Sequence, residues 1–216
     1  MRKEHHALLK RLSDVQTIEF IQDEIRKMEA GEHGENRHVR KLGEFRLAGL
    51  VKIFPNVSLC KGEWKVQIDC LVVKDRCFIV LESKNYSDEL FVDLETEEFY
   101  KIGRDGKEIS LPNPYFQFMR HIRFIKDYFG TDFPNMQVTE AVILTAKSCR
   151  IRQKCSHYPF YKLESMNEKV IQMYNHSNSL PLSTEQLQTI EQVIQTEQTP
   201  FTYPHYGNII ISHLKF

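Results

Sequence analysis

The sequence predicts a mixed α/β domain, a β-sheet flanked by helices, with a helix before it and helical additions after it. Three observations lead there. The first thirty residues carry apolar side chains at helical spacing with no Gly or Pro. From Val57 the period changes, and two apolar runs stand either side of a three-residue polar link. After Pro114, helix-like and strand-like segments alternate. Composition agrees. The chain has 216 residues, 41% of them hydrophobic and 27% charged, enough to bury a core without disulfide or metal staples.

Leu8, Leu9, Leu12, Val15, Ile18, Phe20, Ile21, Ile25 and Met28 place the first helix over residues 1–30. Its amphipathic face suits packing on the domain or pairing with another chain. Gly31 and Gly34 are expected to interrupt it, with a second helix from Glu35 to Leu47. Lys65–Val73 and Cys77–Lys84 read as a β-hairpin turning at Lys74-Asp75-Arg76. Both strands are apolar on both faces over part of their length, which predicts a central, covered sheet. Short strands follow at Leu90–Leu94 and Glu98–Ile102, the second ending in the turn Gly103–Gly106. Asn113 suits a helix N-cap and Pro114 the first turn. That helix is expected to reach Phe129 and to bury Phe116, Met119, Ile122, Ile125 and Phe129. Gln137–Thr145 predicts a buried strand, and Phe160–Leu163 another. Helices are expected at Ser165–Tyr174 and Thr184–Glu197, and a last strand at Ile209-Ile210-Ile211.

Several function classes are excluded early. Lys+Arg and Asp+Glu both number 29, so the chain is neither a strongly basic nucleic-acid coat nor a polybasic membrane anchor. The five cysteines show no CxxC spacing, which points to reduced thiols and a cytoplasmic setting. The start lacks an apolar signal-peptide segment, and no run approaches the roughly 20 apolar residues of a membrane span. The nine histidines show no HxxxH or HxH spacing, so a core or surface role is expected for each.

The informative constellation is Asp69 on one strand and Glu82-Ser83-Lys84 on the next. Alternation puts Glu82 and Lys84 on one face and Ser83 on the other. Folding back at the turn brings Asp69 close to residues 81–82. Two carboxylates and an ammonium then converge beside apolar neighbours. Such carboxylates repel, and each loses hydration. A divalent cation removes both penalties, and Mg²⁺ favours one or two carboxylates plus substrate phosphate. The grouping therefore points to metal-dependent phosphodiester chemistry, with Lys84 orienting water or offsetting charge on the phosphate.

Further stretches share this order: Gly31-Glu32-His33-Gly34-Glu35, Val66-Gln67-Ile68-Asp69, Glu82-Ser83-Lys84-Asn85-Tyr86-Ser87 and Asn113-Pro114-Tyr115-Phe116-Gln117. Over about residues 31–130 the chain resembles the nuclease-related domain (NERD) family of the restriction-endonuclease-like PD-(D/E)xK superfamily. The resemblance implies a mixed sheet flanked by helices and Mg²⁺- or Mn²⁺-dependent DNA cleavage. It matches Asp69, Glu82 and Lys84 to the core acid, second acid and lysine. Glu35 matches a helix glutamate that can complete the metal site, so the implied ligands are Glu35, Asp69 and Glu82. Gln117 matches a glutamine that lies beside the lysine. Cys70, Ser83, Asp88 and Phe99 depart from the residues common in the family, and none is an implied ligand.

The expected organisation is an N-terminal helix (1–30), a nuclease-related core (31–145) and a C-terminal α/β extension (146–216). Arg120, with Arg123 and Lys126 at helical spacing, and the cluster Lys147, Arg150, Arg152 and Lys154 are candidate phosphate contacts. DNA is the expected partner, read without sequence-specific motifs. The apolar face of the N-terminal helix also offers a surface for a homo-oligomer. The alternatives are a non-catalytic nucleic-acid-binding module and a structural or interaction protein.

Overall fold

A computed structural model describes residues 15–44, 51–93, 96–103, 105–152 and 158–197, with the side chain of Val39 excepted. A long helix α1 (Val15–Gly43) precedes strands β1 (Val51–Lys61), β2 (Trp64–Lys74) and β3 (Cys77–Lys84). Three short strands follow, β4 (Glu89–Val92), β5 (Phe99–Ile102) and β6 (Glu108–Leu111), and then helix α2 (Pro114–Phe129). Strands β7 (Gln137–Leu144), β8 (Arg150–Ile151) and β9 (Phe160–Lys162) lead through one 3₁₀ turn to helices α3 (Met166–Asn175) and α4 (Thr184–Glu197). The expected strand at Ile209–Ile211, the first fourteen residues, Leu94 and the 45–47 end of the expected second helix lie outside the described residues.

The main sheet has the order β1-β2-β3-β7-β9. Its first three strands are antiparallel neighbours, and β7 and β9 join in parallel. A smaller sheet, β6-β5-β4-β8, is built from the segment between β3 and α2 plus β8. This is the expected mixed α/β architecture with helices on both sides. The covered-sheet expectation holds on β3, where all residues from Cys77 to Glu82 are buried. Phe78 and Val80 meet α2 and α4 through Phe124, Ile125, Phe129, Ile190 and Ile194. Cys77, Ile79 and Leu81 meet α1 and α3 through Leu42, Met166 and Val170. Each such aliphatic or aromatic side chain contributes about 1.5–3 kcal/mol by leaving water.

Three expectations need correction. Helix α1 runs unbroken through Gly31 and Gly34. A helical glycine costs about 1 kcal/mol relative to alanine, and docking offsets that. A Cβ on Gly34 would stand 2.6 Å from Thr145 Oγ1 and 3.2 Å from Asn85 Cβ, so the bare backbone lets α1 approach the ends of β3 and β7. Arg37 donates to the Thr145 carbonyl at 2.5 Å, and Asn85 Nδ2 to the Ala30 carbonyl at 2.8 Å. Gly34 therefore marks close approach instead of a helix end, while a Cβ on Gly31 would meet nothing within 4 Å. Secondly, β1 and β6 were not expected as strands. Pro55 and Asn56 obscure the pattern of β1, yet it pairs with β2 over its length. Thirdly, Phe116 on α2 is 53% exposed. Ile125 and Phe129 are buried as expected and Met119 and Ile122 only partly so, while Pro114, Phe118, His121 and Phe124 complete the buried face, with a T-shaped Trp64–Phe124 contact (centroids 5.3 Å) joining α2 to β2. The cap of α2 is as expected, with Asn113 Oδ1 accepting from the Tyr115 amide at 3.0 Å.

A candidate active-site cleft at the fork of the hairpin

Strand β2 pairs with β1 from Trp64 to Lys74, but with β3 only from Cys70 onward. Upstream of Cys70 the two strands part. Beyond Leu81, β3 continues to pair with β7 alone. Asp69 therefore stands at a fork, one step past the Cys70–Leu81 pair and level with Glu82. The side-chain alternation also changes phase there. Val66 and Ile68 face the α2 side, and so do Leu71 and Val73, three residues after Ile68 instead of two. The neighbouring strand makes the same skip between Phe54 and Val57 around Asn56, whose φ is +52°. The phase change keeps both apolar stretches in the core and leaves Asp69 with its carboxyl at the opening.

That opening is a cleft of about 290 Å³ lined by Glu35, Gln67, Asp69, Glu82, Ser83, Lys84, Gln117, Arg120 and His121. The structure thus brings together Glu35, Asp69, Glu82, Lys84, Gln117 and Arg120 from the sequence-derived candidates. Asp69 Oδ2 accepts from the Ser83 amide at 2.6 Å. Lys84 Nζ donates to Glu82 Oε1 at 2.8 Å and to Gln117 Oε1 at 3.0 Å. Arg120 stands at the rim and donates to the Lys65 carbonyl at 2.9 Å. The Ser83 hydroxyl lies 2.5 Å from His38 Nδ1 of α1, on the opposite side of β3, as strand alternation requires.

Burial, and then the neighbouring Asp69 charge, push the Glu82 carboxyl up to about 7 against the opposing pull of Lys84. Burial also raises Asp69, opposed by the Ser83 amide and by Lys84. Glu35 is raised by burial and by the charges of Asp69 and Glu32. Burial works against the Lys84 ammonium, but Glu82 outweighs it and holds Lys84 above its ordinary value. Three carboxyl groups thus share a confined space in which ionising all of them is unfavourable, beside the Lys84 cation. A hard divalent ion suits that donor set. Among the described residues no three His, Cys, Asp or Glu side chains stand ready as a ligand group. The fit is therefore to a cation held by two carboxylates, with the rest of its shell from water and substrate.

The other basic candidates lie outside the cleft lining. Lys147 is exposed in the turn after β7. Arg150 belongs to β8, a strand and not the expected loop, and Arg152 forms an ion pair with Glu89. Lys154 is outside the described residues. Sequence reasoning missed Gln67 and His121 as cleft residues. Each carried a signal: Gln67 precedes Asp69 by two on the same strand, and His121 follows Gln117 by four on the same helix. It also missed Glu140, a carboxyl inside the apolar run of β7, 4% exposed, with neither oxygen hydrogen-bonded. Burial and then the charge of Glu82 push Glu140 up to about 9. Burial brings His121 and His38 each down to about 4.

No helix among the described residues is long and apolar enough to cross a membrane. Comparison with curated proteins gives no match. Among solved structures, the small subunit of the heterodimeric restriction endonuclease R.BspD6I is similar at 12% identity. The likeness spans 83% of this chain and 87% of that one at a TM-score of 0.28, too loose a superposition to bear on the site. The nuclease-related domain model matches residues 30–145, more than half of the sequence and the stretch that holds every acid of the cleft, and the chain belongs to the NERD family.

Proposed function

We propose that the protein is a Mg²⁺- or Mn²⁺-dependent nuclease that hydrolyses DNA phosphodiester bonds in this cleft. The observation that carries the reading is the meeting of Asp69, Glu82 and Lys84 at the hairpin fork, with Gln117 bonded to the lysine. Asp69 and Glu82 would hold the cation, with Glu35 assisting. When bound, the ion polarises the phosphodiester and lowers the pKa of a water. Lys84 has three N–H donors. Two are taken by Glu82 and Gln117, which aim the third at the attacking water or a phosphate oxygen. Its raised pKa keeps it cationic at neutral pH, so it orients and stabilises charge and does not act as the base. Arg120 at the rim would contact the backbone, with Lys147, Arg150, Arg152 and Lys154 as outlying phosphate contacts, and binding would weaken with salt.

The test is cleavage of single- and double-stranded DNA with Mg²⁺ or Mn²⁺ by wild type, Asp69→Ala and Lys84→Ala. Equal cleavage by all three ends the reading. The rival outcome is a nucleic-acid-binding module without turnover. Binding in any divalent metal without product would decide for it.

A further inference from the structure

At the floor of the cleft, where α2 covers the sheet, buried polar side chains adjoin an apolar layer. Glu82 and His121 are each 2% exposed. Glu140 pairs with Val80, two residues before Glu82, so the two carboxyls share one sheet face on adjacent strands. Their companions on that side are Val80, Phe124 and Ile125. Glu82 uses its oxygens differently. Oε1 accepts from Lys84, while Oε2 has no hydrogen bond and lies 3.8 Å from His121 Nδ1, which has none either. Two unpaired, buried polar atoms facing each other are unfavourable by about 1–3 kcal/mol each. A leucine or phenylalanine at 121 would fill the layer without that penalty. Packing alone therefore does not account for a histidine here.

We infer that His121 is a positioning residue for Glu82, donating its Nδ1–H to Oε2 and so holding the carboxylate plane with Oε1 toward the cation. The inference rests on the metal reading proposed above. A neutral imidazole suffices, because it carries one N–H donor. A small rotation of the Glu82 carboxyl would close the 3.8 Å gap, with Oε1 still accepting from Lys84 on one lone pair and offering the other to the cation. Partners of this kind behind a metal ligand typically change metal affinity 10–100-fold when removed.

The test is Mn²⁺ calorimetry on the full chain, with thermal melts alongside. His121→Leu removes the donor and one of the two orphaned atoms, leaving Glu82 Oε2 as it was, so it should melt at or above wild type yet bind Mn²⁺ at least about 10-fold more weakly. His121→Gln, which restores an N–H donor, should recover most of that loss. If His121→Leu melts lower, His121→Phe, closer in ring shape, carries the same comparison. Wild-type Mn²⁺ affinity in both apolar variants overturns the inference and leaves the nuclease reading standing. A wild type that binds no Mn²⁺ overturns both.

Discussion

Glu140 offers a quantitative test of the electrostatics, through Glu140→Gln. Its carboxyl moves from an ordinary 4.5 to about 9 in the folded protein. Between those values the folded state holds one more proton than the unfolded state. The stabilising contribution is complete below pH 4.5 and is lost as pH rises through 9. One proton of difference is worth about 1.4 kcal/mol per pH unit. Between pH 6 and pH 8 the wild type should therefore lose about 3 kcal/mol that Glu140→Gln does not. Glu82 titrates in this range as well, but it is present in both chains and cancels in the comparison. The amide introduced by Gln, with donors of its own to place, is unfavourable by about 1–3 kcal/mol. That offset is the same at both pH values, so the difference of differences isolates the proton. Urea unfolding with a slope of about 2 kcal/mol/M turns it into a midpoint change of about 1.5 M. Parallel wild-type and Glu140→Gln curves would refute the claim that Glu140 is buried as the neutral acid.

Four other outcomes are expected. Mn²⁺ affinity should rise with pH up to about 7, because the proton on Glu82 competes with the cation below that value; a flat titration from pH 5.5 to 8 counts against Glu82 as a ligand. Asp69→Asn should abolish the calorimetric Mn²⁺ signal while leaving the fold intact by circular dichroism. Gly34→Ala should lower stability by about 1–3 kcal/mol, since the new methyl meets Thr145 Oγ1 at 2.6 Å and α1 must shift, taking Glu35 with it; an unchanged melting temperature contradicts the close-approach argument. Arg120→Ala should weaken DNA binding and flatten its salt dependence by about one phosphate contact, read from binding at several salt concentrations.

Much of the cleft was legible in the residues themselves. The Asp69, Glu82 and Lys84 grouping followed from a hairpin turn at Lys74–Arg76 and a two-residue strand period. Those rules act between near neighbours, so the sequence states them directly. The N-cap at Asn113 was legible for the same reason, since its side chain reaches an amide two residues away. Gly34 was misread because a glycine signals freedom of the backbone without saying whether a turn or a close neighbour requires it. Strand β1 was missed because Pro55 and Asn56 interrupt its pattern, and its partner strand supplies the pairing that local preference lacks.

By itself the sequence determined most of the element types, the hairpin and the acids and lysine that could meet on it, because backbone period and turn chemistry are written in contiguous residues. Only the tertiary structure decided where β2 and β3 part, which face of α2 turns to the sheet, and that His121 and Glu140 are buried beside Glu82. Those features depend on burial and on contacts between segments tens of residues apart, whose electrostatic consequences arise only once water has been excluded.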